Sequence, residues 1–282
     1  MSPRPAPRRA PSSRTPRPGD RRVPAAPRRS PPRDRDGVGG DQVEGRHAVL
    51  ELLRAKRRDV KRIFIAEAQD ASSTLDAIEF EAQRQRVSVQ MVSMTRLDRE
   101  AKTEGHQGVM ALAQPLETVS LDDLLRVKKP FLLVCDGVTD PRNLGAMLRS
   151  AEGAGVTGVV VPRHRSARIS PTVTKTAAGA IEYLTFCDVG GVPTAIDQLN
   201  RAGVFTVGLA GEVTETLYEL DLGAGPVALV VGGEEKGLSA LTRKRCATVV
   251  SIPQVGRISS LNAGVAVSVA AFEVARQRRS AS

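Results

Sequence analysis

Residues 131–149 read FLLVC-DGVTD-PRNLGAMLR. Five apolar residues in a row, with no polar alternation, describe a strand buried on both faces, as in a parallel sheet. The polar turn that follows carries Pro141, which pre-sets a bend. Asn143 can cap the helix that opens there, expected over 143–154. Strand, tight turn and helix make the first half of a β-α unit, and the rest of the chain extends that rhythm.

Downstream, strands are expected at 158–161, 183–187, 205–209, 227–231 and 248–252. Helices are expected at 172–180, 194–201 and 238–244, with a long one over 261–278. Upstream, GRHAVLELLRA (45–55) places Val49, Leu52 and Leu53 on one helical face, and VKRIFIA (60–66) reads as a strand. A helix at 75–84, a strand at 87–92, a short polar helix at 95–102 and a strand at 108–113 complete a smaller α/β unit. The organisation is therefore a tail (1–42), a small domain (43–115), a linker with a short helix (116–129) and a larger domain (130–282). Strands alternating with helices argue for a mainly parallel sheet covered on both faces.

The tail differs in kind. Residues 1–42 hold 11 Arg against 4 Asp, a net +7 of the chain's formal +10, together with 10 of its 18 prolines. Almost no large apolar side chain is present to offset the entropy of ordering, so disorder is expected. Such a segment either adds salt-dependent affinity for phosphates or only solubilises. It lacks the apolar stretch of a secretory signal, and its prolines would break an amphipathic transit helix. No run of 18 apolar residues exists for a membrane span. Cys135, Cys187 and Cys246 are scattered and form no CxxC pair, which fits a reducing cytoplasm. His47, His106 and His164 are likewise scattered, so no metal site is expected. His164 lies in the basic loop PRHRSAR (162–168), a candidate RNA contact.

Three corners at strand ends concentrate glycine and polar residues. The first spaces Asn143, Gly145 and Arg149 as N-x-G-x-x-x-R. It reads as an anion-facing arginine or as a capped helix whose surface Arg149 pairs with Glu152. The second is VVGGEEKGL (230–238), in which Gly232 and Gly233 admit close approach to the backbone. It reads as a ligand turn or simply a tight connection, and it is neither a P-loop nor a dinucleotide fingerprint. The third is IPQVGRISSLN (252–262), where Ser259, Ser260 or Asn262 can cap the last helix. In open α/β sheets ligands collect at strand ends, so three such corners form a plausible cradle for a flat ligand with polar edges.

In order and spacing, DPRNLGAMLRSAEGAG, VVGGEEKGL and SIPQVGRISSLNAGVAVSVAAFEVARQR resemble the three motifs of SpoU/TrmH-type RNA ribose 2′-O-methyltransferases, over about 150 residues. VEGRHAVLELLRA and HQGVMA resemble the ends of the small ribosomal-protein-like RNA-binding domain that precedes the catalytic domain in RlmB-type enzymes of the large-subunit rRNA. The resemblance implies an α/β SPOUT domain with a trefoil knot, S-adenosylmethionine as methyl donor, and a homodimer with the site near the subunit interface. It carries the catalytic motif onto Asn143 and Arg149, the acid of the second motif onto Glu234, and the polar pair of the third onto Ser260 and Asn262. Gly232, Ile252 and Leu261 match positions that line the cofactor pocket. Two positions depart: Glu235 stands where glycine is usual, and Gly264 where a serine often follows.

The family assigns Arg149 as base, yet guanidinium stays protonated in proteins. Holding the adjoining phosphate and the developing alkoxide suits it better, with Glu234 orienting it. With aromatics at 3%, RNA affinity is expected to rest on basic side chains, including Arg46, Arg57, Arg58 and Lys61. The expected target is a guanosine of 23S rRNA. The alternatives are transfer RNA, a resistance-type rRNA adenosine, or a non-catalytic RNA-binding or ribosome-assembly protein.

Overall fold

In the computed structural model, which describes residues 38–67, 69–70, 72–164, 166–257 and 260–280, the apolar run at 131 is a central strand of an all-parallel sheet. This strand, β5 (Phe131–Asp136), pairs with β9 (Val227–Gly232) on one side and β6 (Gly158–Pro162) on the other. Beyond β6 lies β7 (Phe186–Val189), and beyond β9 lie β8 (Phe205–Leu209) and the short edge strand β10 (Thr248–Val250). Along β5, Phe131, Leu133 and Cys135 enter the core under α5 (Pro141–Gly153) and α9 (Ala263–Ser280). Leu132 and Val134 enter the core under α4 (Leu121–Leu124) and α7 (Val192–Arg201). Both faces are thus covered, as the unbroken apolar run requires. Each such fully buried side chain contributes about 1.5–3 kcal/mol.

Two expected boundaries shift for visible reasons. Helix α5 begins two residues early: Asp140, not Asn143, is its cap, accepting from the Arg142 N–H at 2.9 Å, and Pro141 takes the first turn, where its missing N–H costs nothing. Asn143 is thereby released from capping. The helix expected over 172–180 ends early as α6 (Pro171–Thr176), because Ala178 and Gly179 adopt positive φ and turn the chain into a 3-10 turn (Ala180–Glu182). Helix α8 (Ala240–Arg245) leads into β10.

The smaller half is a four-stranded sheet in the order β1-β4-β2-β3. Strand β2 (Val60–Ala66) is parallel to β3 (Val89–Val92) but antiparallel to β4 (Val109–Ala113), and β1 (Gln42–Glu44) is antiparallel to β4. The sheet is therefore mixed, and the polar edge strand β1 was not expected. Helices α1 (Arg46–Ala55) and α2 (Ser73–Arg84) cover one face, while α3 (Met94–Glu100) packs its Leu97 with Phe64 and Met110 in a separate small core. Of the tail, residues 1–37 lie outside the described residues. Order nonetheless begins before 43, since Val38 is buried and the Gly40 N–H donates to Ile169 O at 2.7 Å.

The two halves meet through arginines. Arg58 donates to Glu182 Oε2 at 2.9 Å and to Gln114 O at 2.7 Å. The side chains of this ion pair are only 5% and 1% exposed. Arg57 donates to Glu182 O and Leu184 O, whereas Arg46 bonds within the small half, to Gln107 O and Gln69 Oε1. Of these three side chains, expected to meet RNA, Arg58 is committed to the fold, while Arg46 is half-buried and Arg57, like Lys61, remains exposed. His106 is also structural: it is buried, bonded to Asp98 and accepting from the Gly108 N–H. Burial pushes the Cys135 thiol up to about 12 and those of Cys187 and Cys246 to about 11, so all three behave as small hydrophobes. Among the described residues no helix is long and apolar enough to cross a membrane, and no cluster of metal-ligating side chains occurs.

Candidate active site

The carboxyl ends of β8, β9 and β10 open onto a cavity of about 590 Å³. Its geometry begins with Gly232, the last residue of β9. A Cβ there would lie 2.0 Å from the Gly237 carbonyl carbon, so no other residue fits while the turn stays closed. The turn is closed by the Gly237 N–H donating to Gly233 O at 2.8 Å. It is tied to the neighbouring strand by Asp136, whose carbonyl accepts from the Gly233 N–H and whose carboxylate accepts from the Ser239 N–H at 2.9 Å. Asp136 was not singled out from the sequence; an acid at the end of a buried strand, facing a glycine-rich turn, was its only signal.

The cavity's floor is apolar, with Leu209, Val231, Val250 and Ile252, and Leu261 projects at the rim with 38% exposure. Its mouth is charged, with Glu212, Glu234, Glu235, Lys236 and Arg243. Size and character suit a flat heterocycle bearing a polar, charged tail. Gly232, Ile252 and Leu261, expected as cofactor residues, all line it, as do Glu234, Ser260 and Asn262.

At the mouth three of the five expected catalytic residues form a chain. Asn143 Nδ2 donates to Glu234 Oε1 at 2.7 Å, and Asn262 Nδ2 donates to Asn143 Oδ1 at 2.9 Å. Asn262 Oδ1 accepts from the N–H groups of Gly264 and Val265, capping α9. That cap fixes which way the Asn262 amide points, since its oxygen is committed to the helix. The orientation then passes along the chain: Asn143 must accept from Asn262 and donate onward, so Glu234 is held as an acceptor. Three elements distant in sequence are aligned by one helix cap.

Arg149 stands apart. It lies six residues beyond Asn143, about 9 Å along the α5 axis. It is exposed and has no hydrogen-bond or ion-pair partner among the described residues, Glu152 and Glu234 included. Glu234 is bonded to Asn143 and not to Arg149. Ser260 is exposed on the cavity wall. Gly264 is buried, and a Cβ there would meet Asn262 Oδ1 at 3.1 Å and Ala146 Cβ at 3.4 Å. It belongs to the contact between α9 and α5, and is not part of the cavity lining. Glu235 sits on the exposed turn. Glu212 and Arg243 were missed from the sequence, although GLAGE directly follows an apolar strand.

An open parallel sheet with a strand-end pocket and a fixed polar chain at its mouth defines a group-transfer site for a nucleotide-like cofactor. Residues 130–272 match the SpoU rRNA Methylase family and residues 42–119 match the RNA 2′-O ribose methyltransferase substrate binding family. The chain belongs to the SpoU rRNA methylase family. It is 40% identical over 240 residues to the 23S rRNA (guanosine-2′-O-)-methyltransferase RlmB of Pectobacterium atrosepticum, covering 84% of this chain and 98% of that one. It is 41% identical over 244 residues to the RlmB of Pseudomonas aeruginosa, covering 84% and 97%. Among solved structures it resembles the SpoU methyltransferase AviRb of Streptomyces viridochromogenes in complex with AdoMet, with a TM-score of 0.70 at 23% identity over 85% of this chain and 90% of that one. The expectations of family, of a methyltransferase and of S-adenosylmethionine as donor are borne out.

Proposed function

We propose that this chain methylates the ribose 2′-hydroxyl of a guanosine in 23S rRNA. The observation that carries the reading is the Glu234–Asn143–Asn262 chain at the mouth of the cavity. Relatives at about 40% identity along nearly their whole length act on that nucleoside class. S-adenosylmethionine, when bound, supplies a sulfonium-activated methyl group. Gly232, Ile252 and Leu261 hold its adenosine portion against the apolar floor. Asn143 and Glu234 place polar atoms where the ribose must enter. Arg149, whose five N–H donors have no partner among the described residues, holds the adjoining phosphate and the alkoxide character that develops on the 2′-oxygen. Ser260 contributes a hydroxyl to the same mouth.

Within this reading residues 43–115 bind RNA, 116–129 link, and 130–282 carry catalysis. The cytoplasm is its compartment. The C-terminal segment is threaded as a trefoil knot, a reading supported by the way α9 returns from the edge strand β10 to pack on α5 and β9. The enzyme acts as a homodimer. Support comes from Val265 and Phe272, which share one flank of α9 and are 48% and 49% exposed, with Leu261, 38% exposed, just before the helix.

The test is incubation with labelled S-adenosylmethionine and unmodified large-subunit rRNA, followed by mapping of 2′-O-methylation by nucleotide. One strong guanosine site that disappears in Arg149→Ala is expected. Transfer confined to transfer RNA, or to an adenosine, would overturn the assignment of target.

A further inference from the structure

The mouth of the cavity has a second charged group, on the side away from Asn143. Strand β8 continues as Ala210-Gly211-Glu212, and the Ala210 N–H donates to Val250 O at 3.0 Å, pinning this segment to β10. The Glu212 carboxylate is bonded to Arg243 on α8, and both side chains line the cavity. The pair is 66% and 39% exposed, and ion pairs that open to water add only about 0–1 kcal/mol to stability. Fold maintenance is a weak reason for it.

Its position suggests a better one. Strand β9 ends in the glycine-rich turn, and β8 is its hydrogen-bonded parallel neighbour. In open α/β sheets that bind nucleotide cofactors, an acid that follows the strand beside the glycine-rich turn accepts from the ribose hydroxyls. A vicinal diol offers two O–H donors side by side, and an ionised carboxylate offers two oxygens as acceptors. Hydrogen bonding from its own N–H and from Arg243 holds the Glu212 carboxyl below its usual range, keeping it an acceptor. Of the other acids at the mouth, Glu234 already accepts from Asn143, and Glu235 lies on the turn itself.

We propose that Glu212 binds the ribose diol of the cofactor's adenosine and that Arg243 is the positioning residue that aims it. This rests on the reading that the cavity takes S-adenosylmethionine. Titration calorimetry on the full chain, with S-adenosylhomocysteine and its 2′-deoxy analogue as probes, tests it. The wild type should bind the deoxy analogue about 10- to 100-fold more weakly, the range for one hydrogen bond to a charged group. Glu212→Gln should weaken S-adenosylhomocysteine by a similar factor yet bind the two probes nearly equally. Arg243→Met should weaken binding less and move its loss to higher pH as the solution is acidified, with Arg243→Lys restoring most of the wild-type profile. A Glu212→Gln protein that still discriminates against the deoxy analogue as strongly as wild type would overturn the inference and leave the cofactor reading intact. A wild type that binds neither probe would overturn the cofactor reading itself.

Discussion

Arg58 and Arg149 show two uses of one side chain. Arg58, at the seam between the small sheet and the large one, is bonded to a carboxylate and to backbone carbonyls and is almost wholly excluded from water. Arg149, nearly two turns beyond Asn143 on α5, is exposed and bonded to nothing among the described residues. A guanidinium whose three nitrogens are all engaged has little left for a ligand, whereas an unengaged one on the helix that carries Asn143 is available to an incoming phosphate. Basic sequence alone does not separate the two cases; partnering does. The sharpest way to break the comparison is to exchange the readouts. Arg149→Ala should lower methyl transfer by about 10²–10³-fold or more, the scale of losing a donor to developing negative charge, with S-adenosylhomocysteine affinity unchanged. Single-turnover transfer and calorimetry measure the two. Transfer within twofold of wild type would remove Arg149 from the mechanism.

Arg58→Ala should do the reverse. It leaves Glu182 ionised and unpaired in a site that is 1% exposed, which costs about 3–5 kcal/mol of stability. Urea unfolding measures this directly. Replacing both partners, as Arg58→Met with Glu182→Gln, should recover most of the loss, because the cost lies in the orphaned charge rather than in the missing attraction. If the single variant unfolds like wild type, the seam is not held by this pair.

The polar chain at the mouth supplies a third contrast, between an amide that orients and a carboxylate that could take its place. Asn143→Asp keeps the volume but removes the donor to Glu234 and sets two carboxylates face to face. The expected fall in transfer is about 10- to 100-fold, because the two carboxylates repel and Glu234 loses its donor. Transfer within twofold of wild type would show that Glu234 does not depend on Asn143.

Much of this was legible in the sequence. The unbroken apolar run at 131–135 gave the parallel sheet, and the second and third glycine-rich corners hold the six expected site residues that line one cavity. What could not be read was partnership. Asn143 looked like a cap because Asn is a good one, but Asp140 with Pro141 behind it is a better local solution, and that choice frees Asn143 for Glu234. The arginines at 57 and 58 looked like an RNA patch because their partners, Glu182 and the carbonyls of 182 and 184, lie about 125 residues away. Strand β1 was missed because three residues with two polar side chains carry no period. Its neighbour also redefines the tail: since Val38 and Gly40 are held by the fold, the segment to delete ends at 37, not 42. Removing residues 1–37 should lower RNA affinity about tenfold at low salt and flatten the dependence of log K on log salt, because fewer phosphates are neutralised. An unchanged slope in a filter-binding titration would make the tail irrelevant to RNA.

The smallest expected effect concerns Gly264, and it separates a residue of the site from a residue beneath it. If a serine at this position served the cofactor or Arg149, its absence would weaken catalysis and Gly264→Ser would raise the rate. The packing argues otherwise. The new Cβ would point at Ala146 and at the capping oxygen of Asn262, on the α5 side of α9. Serine would gain some helix propensity over glycine, worth less than about 1 kcal/mol, and would lose part of that in a contact slightly too tight. Stability should therefore change by less than about 1 kcal/mol and transfer by less than about threefold, a factor that corresponds to well under 1 kcal/mol. A tenfold gain would place the hydroxyl in the active site and show that the cap chain, as it stands in this protein, is incomplete.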